Sequence, residues 1–512
     1  MNEKVKSVAG VVVSDSTYKA DNKATVITIC ASDPMGLSGI HADLRALESM
    51  NVHGLCCLTA TTAQTLDGFS KLNPVSDEVF KSQLDSLYAF ESCHVIKIGL
   101  IANESQAQIL ASHPVIKNKK IVLDPVLAAS TGDIENHKSR LAGIKKLLPL
   151  VDIITPNLDE AIDLTSGHES LSEDDSKQAL SSSLLKMDVS AVLLKGGHSK
   201  EKSIDFYCDQ TIQFYLKHDI YQHQYSRGTG CAMASLIAAG LALGSSTADA
   251  VTMAKMQMQG GWQSPFTISE QSGSLGFKKW VSAESLVQGN TVPVTLPIVF
   301  KQDHEMKLEF PPCELPLGLY PIFDRAEWLE KILPLGIKIA QLRIKDLEGQ
   351  ALKQEIQAAV EVARKYNCQL FINDYWELAI ECEAYGVHLG QEDIDDADLN
   401  ALSQSGLRLG LSSHCFYEVA RAKTINPSYI AFGPVYETQT KDMPWIPQGP
   451  IGLKYWREHL PNTPMVAIGG IHGDRFDTVK STGVDSIAMI TAITLADDPE
   501  AATLKYQAAF IA

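Results

Sequence analysis

The chain has 512 residues, of which 45% are hydrophobic and 21% charged, a composition typical of a globular protein with two or three folding units. Its formal net charge of −17 argues against a general nucleic-acid binder, because such proteins need a concentrated basic surface. Binding of small phosphorylated substrates stays compatible with this charge, because salt screens the repulsion from carboxylates more than about 8 Å away.

No segment predicts export or membrane insertion. The N-terminal apolar stretch is too short for a secretory signal. The small and apolar stretch from Cys231 to Gly244 falls short of a membrane span of about 20 residues and predicts a buried helix. The ten cysteines include no C-x-x-C pair, so neither a zinc site nor a disulfide framework is indicated. We expect a cytoplasmic protein that has neither a membrane nor a nucleic acid as partner.

The first half of the chain predicts an open α/β sheet. Near-continuous apolar runs, with helical periodicity between several of them, are typical of strands buried on both faces. Residues 1–24 are predicted to be a polar leader of little structure, and the Pro-containing stretch 286–315 an interdomain linker with room for a short strand. The apolar runs are TVITICAS, GLCCLTATTA, CHVIKIGLI, KIVLDPV, VDIITPN and SAVLLKGG.

The second half predicts a (β/α)8 barrel. Eight short apolar runs lie between Leu317 and Ala492, and most gaps between them can hold a helix. No internal repeat relates the halves, which indicates a fusion. Chemistry in such barrels lies at the carboxyl ends of the strands. The residues that the sequence places there are Arg343, Lys345, Asn373, Asp374, Asp393, Ser412, Gly469 and Gly470.

The strongest local signal of the first half is the run from Arg227 to Cys231, which precedes a helix of small residues. Its glycines allow backbone N–H groups to converge, and the helix start adds a positive dipole end, so an anion hole is predicted. A cysteine in that first turn is expected to have a lowered pKa, suited to removing a proton from an alcohol. For this motif alone, a plain helix entry with a buried cysteine is an equal alternative.

Three further strand ends carry polar groups. A second glycine-containing turn, from Ser32 to Gly39, precedes a helix that contains Asp43. Lys195 ends another strand, and Asn157 with Glu160 ends a third, offering oxygen ligands for Mg²⁺.

Together these stretches resemble hydroxymethylpyrimidine/phosphomethylpyrimidine kinase, of the ribokinase-like superfamily, over about residues 25 to 265. The resemblance implies a three-layer α/β/α domain over residues 25–285, with ATP as co-substrate and Mg²⁺ as cofactor. Pyridoxal kinases share the fold and are a minor alternative. The matching motifs are TICASDPMGLSGIHADL, LTATTAQT, KIGL, LDPV, TPNLDEA, LLKGGH and GTGC.

The resemblance also implies roles for single residues. Asp43 and Gln64 would hydrogen-bond the aminopyrimidine and its hydroxymethyl arm, and Cys231 would be the base or lie in the anion hole. The implied ATP and Mg²⁺ residues are Lys195, Gly228, Gly230, Asn157 and Glu160. Four positions depart from the family pattern, and they leave open that the kinase half is degenerate and only binds ligands or supports the fold. These positions are Leu37, His41, Arg227 and Ala232.

The barrel half contains a denser cluster of candidate site residues. Gln341, Arg343 and Lys345 alternate along one strand, so all three point to the same face, where an amide can read a heterocycle and two cations can hold a pyrophosphate. An exposed strand face is the alternative. Asp374 and Asp393, at neighbouring strand ends, predict a Mg²⁺ site, although such residues are also common as turn formers and helix caps.

The barrel half closely resembles thiamine-phosphate synthase over about residues 316 to 510, and we predict a domain over 316–512. The matching motifs are LYPIFD, QLRIK, FIND, GVHLGQED, GLSSH, GPVYETQTK, AIGGI and ITAI. The resemblance implies Mg²⁺ on Asp374 and Asp393, and Gln341 and His388 beside the pyrimidine. Around the diphosphate it implies Arg343, Lys345, Asn373, Ser412 and Lys441; around the thiazole phosphate it implies Thr438, Thr440, Gly470, Ile490 and Thr491. Tyr375 and Thr491 depart from the family pattern.

The two resemblances imply one pathway, because the kinase product would be the electrophile of the synthase. The predicted protein is a bifunctional transferase of thiamine biosynthesis whose partners are small molecules, and its oligomeric state stays open. An epimerase-type phosphate barrel and a scaffold protein are the alternatives. An epimerase-type barrel needs acid–base carboxylates or metal-ligand histidines at the strand ends, and this sequence has Gln341, Arg343 and Lys345 where they are expected. For a scaffold, the sequence shows no exposed coiled coil or low-complexity tract.

Overall fold

The computed structural model describes most of the chain. The described residues are 7–8, 11–12, 23–65, 69–127, 137–165, 173–196, 203–219, 221, 225, 227–270, 272–280, 295–301, 308–437 and 447–511. They do not include three residues that were predicted to bind phosphate groups, Thr438, Thr440 and Lys441.

The chain divides into two compact units. The first, the sheet unit, comprises Asp15–Val281 and Val292–Glu305. The second, the barrel unit, comprises Met1–Ser14, Ser282–Thr291 and Met306–Ala512.

The sheet unit contains one ten-stranded sheet and a separate two-stranded hairpin. Earlier in the chain, in the stretch assigned to the barrel unit, strands β1 (Ser7–Val8) and β2 (Val11–Val12) pair antiparallel within the predicted leader, so this part of the leader carries regular structure. The strands of the sheet unit are β3 (Thr25–Ser32), β4 (His53–Gln64), β5 (Phe69–Pro74), β6 (Val95–Ile98), β7 (Lys120–Leu123), β8 (Ile153–Ile154), β9 (Ala191–Leu194), β10 (Ser203–Asp209), β11 (Gln213–His218), β12 (Phe266–Ser269), β13 (Ser272–Ser274) and β14 (Ile298–Phe300).

The sheet has the order β14-β11-β10-β9-β8-β7-β6-β3-β4-β5. Its six central strands are parallel, which confirms the predicted open α/β sheet, and they coincide with the six apolar runs. Its edges are antiparallel: β5 pairs with β4 on one side, and β10, β11 and β14 follow β9 on the other. All four residues of β6 and of β9 are buried, as expected for strands covered on both faces.

Helices of the sheet unit form two packed groups. One group, α1, α7 and α8, packs together and against β3, β6 and β7; the other, α2 to α6, surrounds the main core of aliphatic residues. The small-residue run after Cys231 forms α7, which is buried over residues 232–241, as predicted. The helices are α1 (Gly39–Ser49), α2 (Asp77–Tyr88), α3 (Glu104–Ser112), α4 (His137–Leu147), α5 (Leu158–Thr165), α6 (Glu173–Leu185), α7 (Thr229–Ala242) and α8 (Thr247–Gln263).

The barrel unit is a closed barrel of eight parallel strands in sequential order, each followed by at least one helix, as predicted. The strands are β15 (Gly318–Phe323), β16 (Ile339–Leu342), β17 (Gln369–Asn373), β18 (Gly386–Leu389), β19 (Arg408–Ser413), β20 (Tyr429–Phe432), β21 (Met465–Ala467) and β22 (Ser486–Met489). The helices are α9 (Ala326–Ile332), α10 (Gly349–Lys365), α11 (Trp376–Glu381), α12 (Asp393–Asp396), α13 (Leu399–Ser405), α14 (Phe416–Ile425), α15 (Gly449–His459), α16 (Arg475–Lys480), α17 (Thr491–Thr494) and α18 (Pro499–Ile511).

The described parts of the predicted linker 286–315 are built into the two units. Strand β14 hydrogen-bonds to β11, and its Val299 is buried. Further on, Cys313 belongs to the core of the barrel, and the backbone of Glu314 exchanges two hydrogen bonds with the side chain of Gln369. The sequence missed these contacts because their partners lie far away along the chain.

In the described part of the chain, no helix combines the length and the apolar character that crossing a membrane requires.

We predict that Phe80→Ala destabilises the sheet unit by about 3–5 kcal/mol, because it empties a fully buried site in the core. The neighbouring Val79 is 50% exposed, so Val79→Ala serves as the control and should change stability by no more than about 0.5 kcal/mol. Hydrogen exchange of the amides of β3 and β6, measured by mass spectrometry, reports the stability of the sheet unit separately from that of the barrel unit. Equal protection in both variants would contradict the core assignment.

Candidate active sites

A cavity of about 650 Å³ opens in the sheet unit at the carboxyl ends of the parallel strands. It brings together most of the residues that the sequence predicted for this half. Those lining it are Gln64, Asn157, Glu160, Lys195, Gly228, Gly230 and Cys231. Parallel strands end at one edge of the sheet, and this explains why residues far apart in sequence converge there.

Lys195 is the central cation of this cavity. Its Nζ lies 3.1 Å from Oδ1 of Asp124 and 4.0 Å from Oε2 of Glu160. Burial alone would lower the pKa of Lys195, but the two carboxylates outweigh it and raise the pKa, so the ammonium group is retained. Asp124 was not singled out from the sequence, although the quoted LDPV motif contains it.

Asn157 and Glu160 form a reciprocal cap at the start of α5. The backbone N–H of Glu160 donates to Oδ1 of Asn157 at 2.8 Å, and that of Asn157 donates to Oε2 of Glu160 at 2.9 Å. Burial raises the pKa of Glu160 to about 7, Lys195 opposes this rise, and Asp124 adds to it. A carboxylate that is costly to ionise without a cation suits a metal or metal-water site.

The start of α7 faces the same cavity. Gly228 has φ +76°, and a Cβ there would lie 2.2 Å from the carbonyl oxygen of Leu37, so only glycine fits. The N-cap residue Gly228 has no side chain with which to cap α7, which leaves the positive end of the helix dipole available to an anion.

The thiol of Cys231 contacts a second thiol that the sequence did not reveal as functional, Cys30 at the end of β3. The hydrogen bond with Cys30, followed by burial, raises the pKa of Cys231 well above its usual value. The expected lowering at Cys231 is therefore wrong. The same hydrogen bond, aided by Lys97, lowers the pKa of Cys30 against the effect of burial, so Cys30 is the thiol that ionises more readily.

Asp43 does not line the cavity but lies fully buried behind it. Its carboxylate accepts hydrogen bonds from Lys97 at 2.8 and 2.9 Å, from Thr28 at 2.6 Å and from Ser235 at 2.9 Å. Burial alone would lower the pKa of Lys97, and the charge of Asp43 raises it instead. This geometry places Asp43 as a support beneath the thiol pair, and it does not support the predicted direct contact with substrate.

Arg227, one of the departures from the family pattern, bridges two parts of the cavity rim. One of its guanidinium nitrogens donates to Oε1 of Gln64 at 2.9 Å and lies 3.7 Å from Asp33. Asp33 in turn organises the glycine turn by accepting from the backbone N–H groups of Met35 and Ser38 at 2.8 and 2.9 Å. The amide oxygen of Gln64 is therefore already hydrogen-bonded.

In the barrel unit, the predicted residues within the described chain lie at the carboxyl ends of the strands. Gln341 is buried inside the barrel, Arg343 follows β16 and is partly exposed, and Lys345 is exposed at the mouth. Asn373 ends β17 and is buried. At two further neighbouring strand ends lie Gly470, after β21, and Ile490 with Thr491, after β22.

Asp374, Asp393 and Lys345 form a charged group at this mouth. Nζ of Lys345 lies 2.5 Å from Oδ2 of Asp374. Burial raises the pKa of Asp393, and the adjacent charge of Asp374 raises it further. Two carboxylates held against each other fit a divalent cation, which would relieve their repulsion.

Metal binding at this pair would need other ligands as well. Within the described residues, no group of three or more His, Cys, Asp or Glu side chains is arranged to hold a metal ion. Mg²⁺ commonly binds through one or two carboxylates and completes its shell with water and substrate phosphate, so a two-carboxylate site is sufficient.

His388, Ser412 and Gln341 are linked by two buried tyrosines that the sequence did not single out. Nδ1 of His388 lies 2.8 Å from the Tyr429 hydroxyl, and its Nε2 lies 2.9 Å from the Ser412 hydroxyl. Tyr429 in turn bonds Tyr320 at 2.8 Å. Burial lowers the pKa of His388 to about 4, so the imidazole is neutral at physiological pH.

Comparisons with known proteins find a match for each of the two units. A family model described as phosphomethylpyrimidine kinase matches residues 33–276, and one described as thiamine monophosphate synthase matches residues 319–493. The thiamine-phosphate synthase of Proteus mirabilis (strain HI4320) is 52% identical over 196 residues, which are 38% of this chain and 91% of that protein.

Solved structures of two kinases are similar to the sheet unit. The phosphomethylpyrimidine kinase from Clostridium difficile 630 is 26% identical, with a TM-score of 0.41, over 46% of this chain and 98% of that one. The pyridoxal kinase from Staphylococcus aureus in complex with AMP-PCP and pyridoxal is 26% identical, with a TM-score of 0.46, over 51% of this chain and 95% of that one.

The fold and the two family models define an enzyme that carries two transferase domains, a kinase domain in the sheet unit and a synthase domain in the barrel unit. The chain belongs to the thiamine-phosphate synthase family, to which it adds a phosphomethylpyrimidine kinase domain. This confirms the predicted bifunctional enzyme of thiamine biosynthesis, and the alternative of a degenerate kinase half finds no support.

We predict that Cys30→Ala lowers the pKa of Cys231, because the hydrogen bond that the Cys231 thiol donates to Cys30 is the largest cause of its elevation. Alkylation of Cys231 by iodoacetamide should then begin at lower pH than in the wild type, which peptide mass spectrometry can follow. Cys208→Ala is the control, since this buried cysteine lies on β10 and is not among the residues lining the cavity. An unchanged alkylation profile in Cys30→Ala would show that the two thiols do not interact.

Proposed function

We propose that the barrel unit joins hydroxymethylpyrimidine diphosphate to thiazole phosphate, giving thiamine phosphate and pyrophosphate. The observation that carries this proposal is the pairing of Asp374 and Asp393 beside Lys345 at the barrel mouth, in a domain that is 52% identical to a thiamine-phosphate synthase. Such a site can stabilise the negative charge of an anionic leaving group, and no protein nucleophile is needed.

Asp374 and Asp393 would hold Mg²⁺, which when bound supplies positive charge to the departing diphosphate. Arg343 and Lys345 face the same mouth and would bind the diphosphate oxygens together with Lys441 from the sequence motif. The pyrimidine cation left behind is then trapped by the thiazole nitrogen. Stabilising charge is thereby aimed where negative charge develops.

The remaining predicted residues of the barrel have positions that suit substrate contacts. Gln341 and His388 are buried inside the barrel, where the pyrimidine ring would lie, and Asn373 and Ser412 lie at or next to the ends of their strands. Gly470, Ile490 and Thr491 follow β21 and β22, the place where barrels commonly bind a phosphate. With Thr438 and Thr440 from the polar loop, these three would seat the thiazole phosphate.

We further propose that the sheet unit supplies this diphosphate by two ATP-dependent phosphorylations of hydroxymethylpyrimidine. The start of α7, with Gly228 and Gly230, and the ammonium group of Lys195 would bind the transferring phosphoryl group. Asn157 and Glu160 would hold Mg²⁺ directly or through water, and Gln64 would contact the pyrimidine. The pair of Cys30 and Cys231 would accept the alcohol proton, with the more readily ionised Cys30 assisting Cys231.

The small molecules named here would be the partners of the enzyme, and we expect it to act in the cytoplasm. None of its ten cysteines forms a disulfide, which suits a reducing compartment.

One experiment tests the whole proposal. The purified chain is given hydroxymethylpyrimidine, ATP, Mg²⁺ and thiazole phosphate, and mass spectrometry should detect thiamine phosphate. A second reaction omits ATP and contains ready-made pyrimidine diphosphate, which should couple without the kinase. Absence of product in the second reaction would contradict the synthase assignment, and absence in the first alone would contradict the kinase assignment.

The two sites should be separable by single substitutions. We predict that Asp374→Asn lowers thiamine phosphate formation by about 100-fold or more while ATP consumption with hydroxymethylpyrimidine is unchanged, because only the barrel mouth loses a charge. Cys231→Ala should have the opposite effect and suppress ATP consumption alone.

Asp497→Asn removes the same charge from an exposed position of the barrel unit and is the matched control. Loss of both activities from either substitution would contradict independent sites.

A further inference from the structure

Five polar side chains form a continuous hydrogen-bonded chain through the interior of the barrel. Nε2 of Gln341 bonds the Tyr320 hydroxyl at 3.4 Å, and the remaining bonds join Tyr320 to Tyr429, Tyr429 to His388, and His388 to Ser412. We name this chain of residues the interior relay. Its two ends, Gln341 and Ser412, are both proposed substrate contacts, whereas the tyrosines in its middle have no role in the proposed reaction.

Tyr429 is held rigidly at the centre of the relay. It is fully buried, its ring stacks on His388 with centroids 5.7 Å apart, and it meets the ring of Phe371 edge-on at 5.0 Å. A Cβ on Gly410 would lie 2.2 Å from Cζ and 2.4 Å from the hydroxyl of Tyr429, so the neighbouring strand has room for this phenol only because residue 410 is glycine. The position of the hydroxyl is therefore fixed by packing.

One direction satisfies every hydrogen-bonding group of the relay. The amide nitrogen of Gln341 donates to Tyr320. Either tyrosine hydroxyl could donate to the other, but only when Tyr320 donates to Tyr429 does the proton of the buried Tyr320 hydroxyl have an acceptor in the relay. Burial raises the pKa of both phenols, and each keeps its proton. Tyr429 therefore donates to Nδ1 of His388, and the proton of this ring lies on Nε2, which donates to Ser412.

This direction determines whether each end of the relay presents a hydrogen-bond donor or an acceptor to a ligand. At one end the Gln341 amide has turned its nitrogen into the relay, so its oxygen is left as an acceptor for an amino group. At the other end the Ser412 oxygen accepts from His388, so its own proton is left to donate to an anion. An aminopyrimidine carrying a diphosphate presents an amino group and an anion, and it matches both ends.

We propose that Tyr429 is a positioning residue that couples Gln341 to Ser412, so that the barrel selects an aminopyrimidine and a diphosphate through one shared hydrogen-bond direction. The proposal rests on the proposed function of the barrel unit. It goes further by assigning the pyrimidine preference to a residue that does not itself contact substrate. The reversed direction would present the wrong group at both ends at once.

The tautomer of His388 reports this direction without any substrate. In protein labelled with ¹⁵N on its histidines, two-bond proton–nitrogen correlation distinguishes the Nδ1–H from the Nε2–H form. The His388 signals are identified among the 14 histidines as those missing from His388→Asn. We expect the Nε2–H form in the wild type. Tyr429→Phe removes the donor to Nδ1 and should make the Nδ1–H form detectable.

Tyr455→Phe is the matched control. Its hydroxyl is also buried in the barrel unit, and no hydrogen-bond partner lies near it among the described residues, so its removal tests the loss of a buried phenol oxygen without the relay. This variant should keep both the wild-type tautomer and the wild-type rate of coupling. Gly410→Ala, which forces Tyr429 to move, should behave like Tyr429→Phe.

Activity supplies the second measurement. Tyr429→Phe should lower kcat/KM for the pyrimidine diphosphate by about 10- to 100-fold, as loss of an outer hydrogen bond typically does. It should also reduce, by about tenfold, the preference of the site for the amino compound over its oxo analogue as competitive inhibitors, because the freed amide can turn. ATP consumption by the sheet unit should be unchanged.

The outcomes separate the two proposals. An Nδ1–H tautomer in the wild type, an unchanged tautomer in Tyr429→Phe, or an undiminished preference for the amino compound would overturn the relay while leaving the synthase assignment intact. A wild-type protein that never couples ready-made diphosphate would overturn the proposed function. Equal loss of activity in Tyr455→Phe would show that the effect of Tyr429→Phe is merely structural.

Discussion

Both sites of this protein depend on parallel strand pairing. In the sheet unit the six central strands run parallel, and in the barrel unit all eight do, so every carboxyl end in a unit opens on the same side. Lys195 therefore meets Asp124 across 71 residues of sequence, and Lys345 meets Asp374 across 29. Where this convergence buries a charge, an opposite charge must lie beside it, as Lys97 lies beside Asp43.

The sequence predicted the strands that are buried on both faces and missed those at the edges. The central strands read as continuous apolar runs because neither face meets water. Strands β5, β10 and β11 mix polar and apolar residues, and β14 has only three residues, all apolar, in the stretch predicted as a linker. Their pairing is decided by partners distant in the chain, and β-propensity without that context is a weak signal.

The sequence likewise revealed site residues best where they follow a strand and least well where they lie within one. Charged residues that follow an apolar run, such as Lys195 and Asp393, are visible in a sequence because their position is unusual. Cys30, Tyr320 and Tyr429 lie within apolar strands, where they read as ordinary core residues. Their roles come from contacts across the fold, and the pKa of Cys231 was predicted with the wrong sign because its thiol partner is 201 residues away along the chain.

The guanidinium group of Arg227 makes ligand capture in the kinase cavity an exchange of partners. Because it already donates to the amide oxygen of Gln64, an incoming ring that uses this oxygen gains only the difference between the new hydrogen bond and the old one. The guanidinium nitrogen released from Gln64 then lies beside the start of α7, which we propose to bind phosphate. Under the proposed function, this exchange of partners implies weak binding of the neutral alcohol and tighter binding once the substrate carries a phosphate.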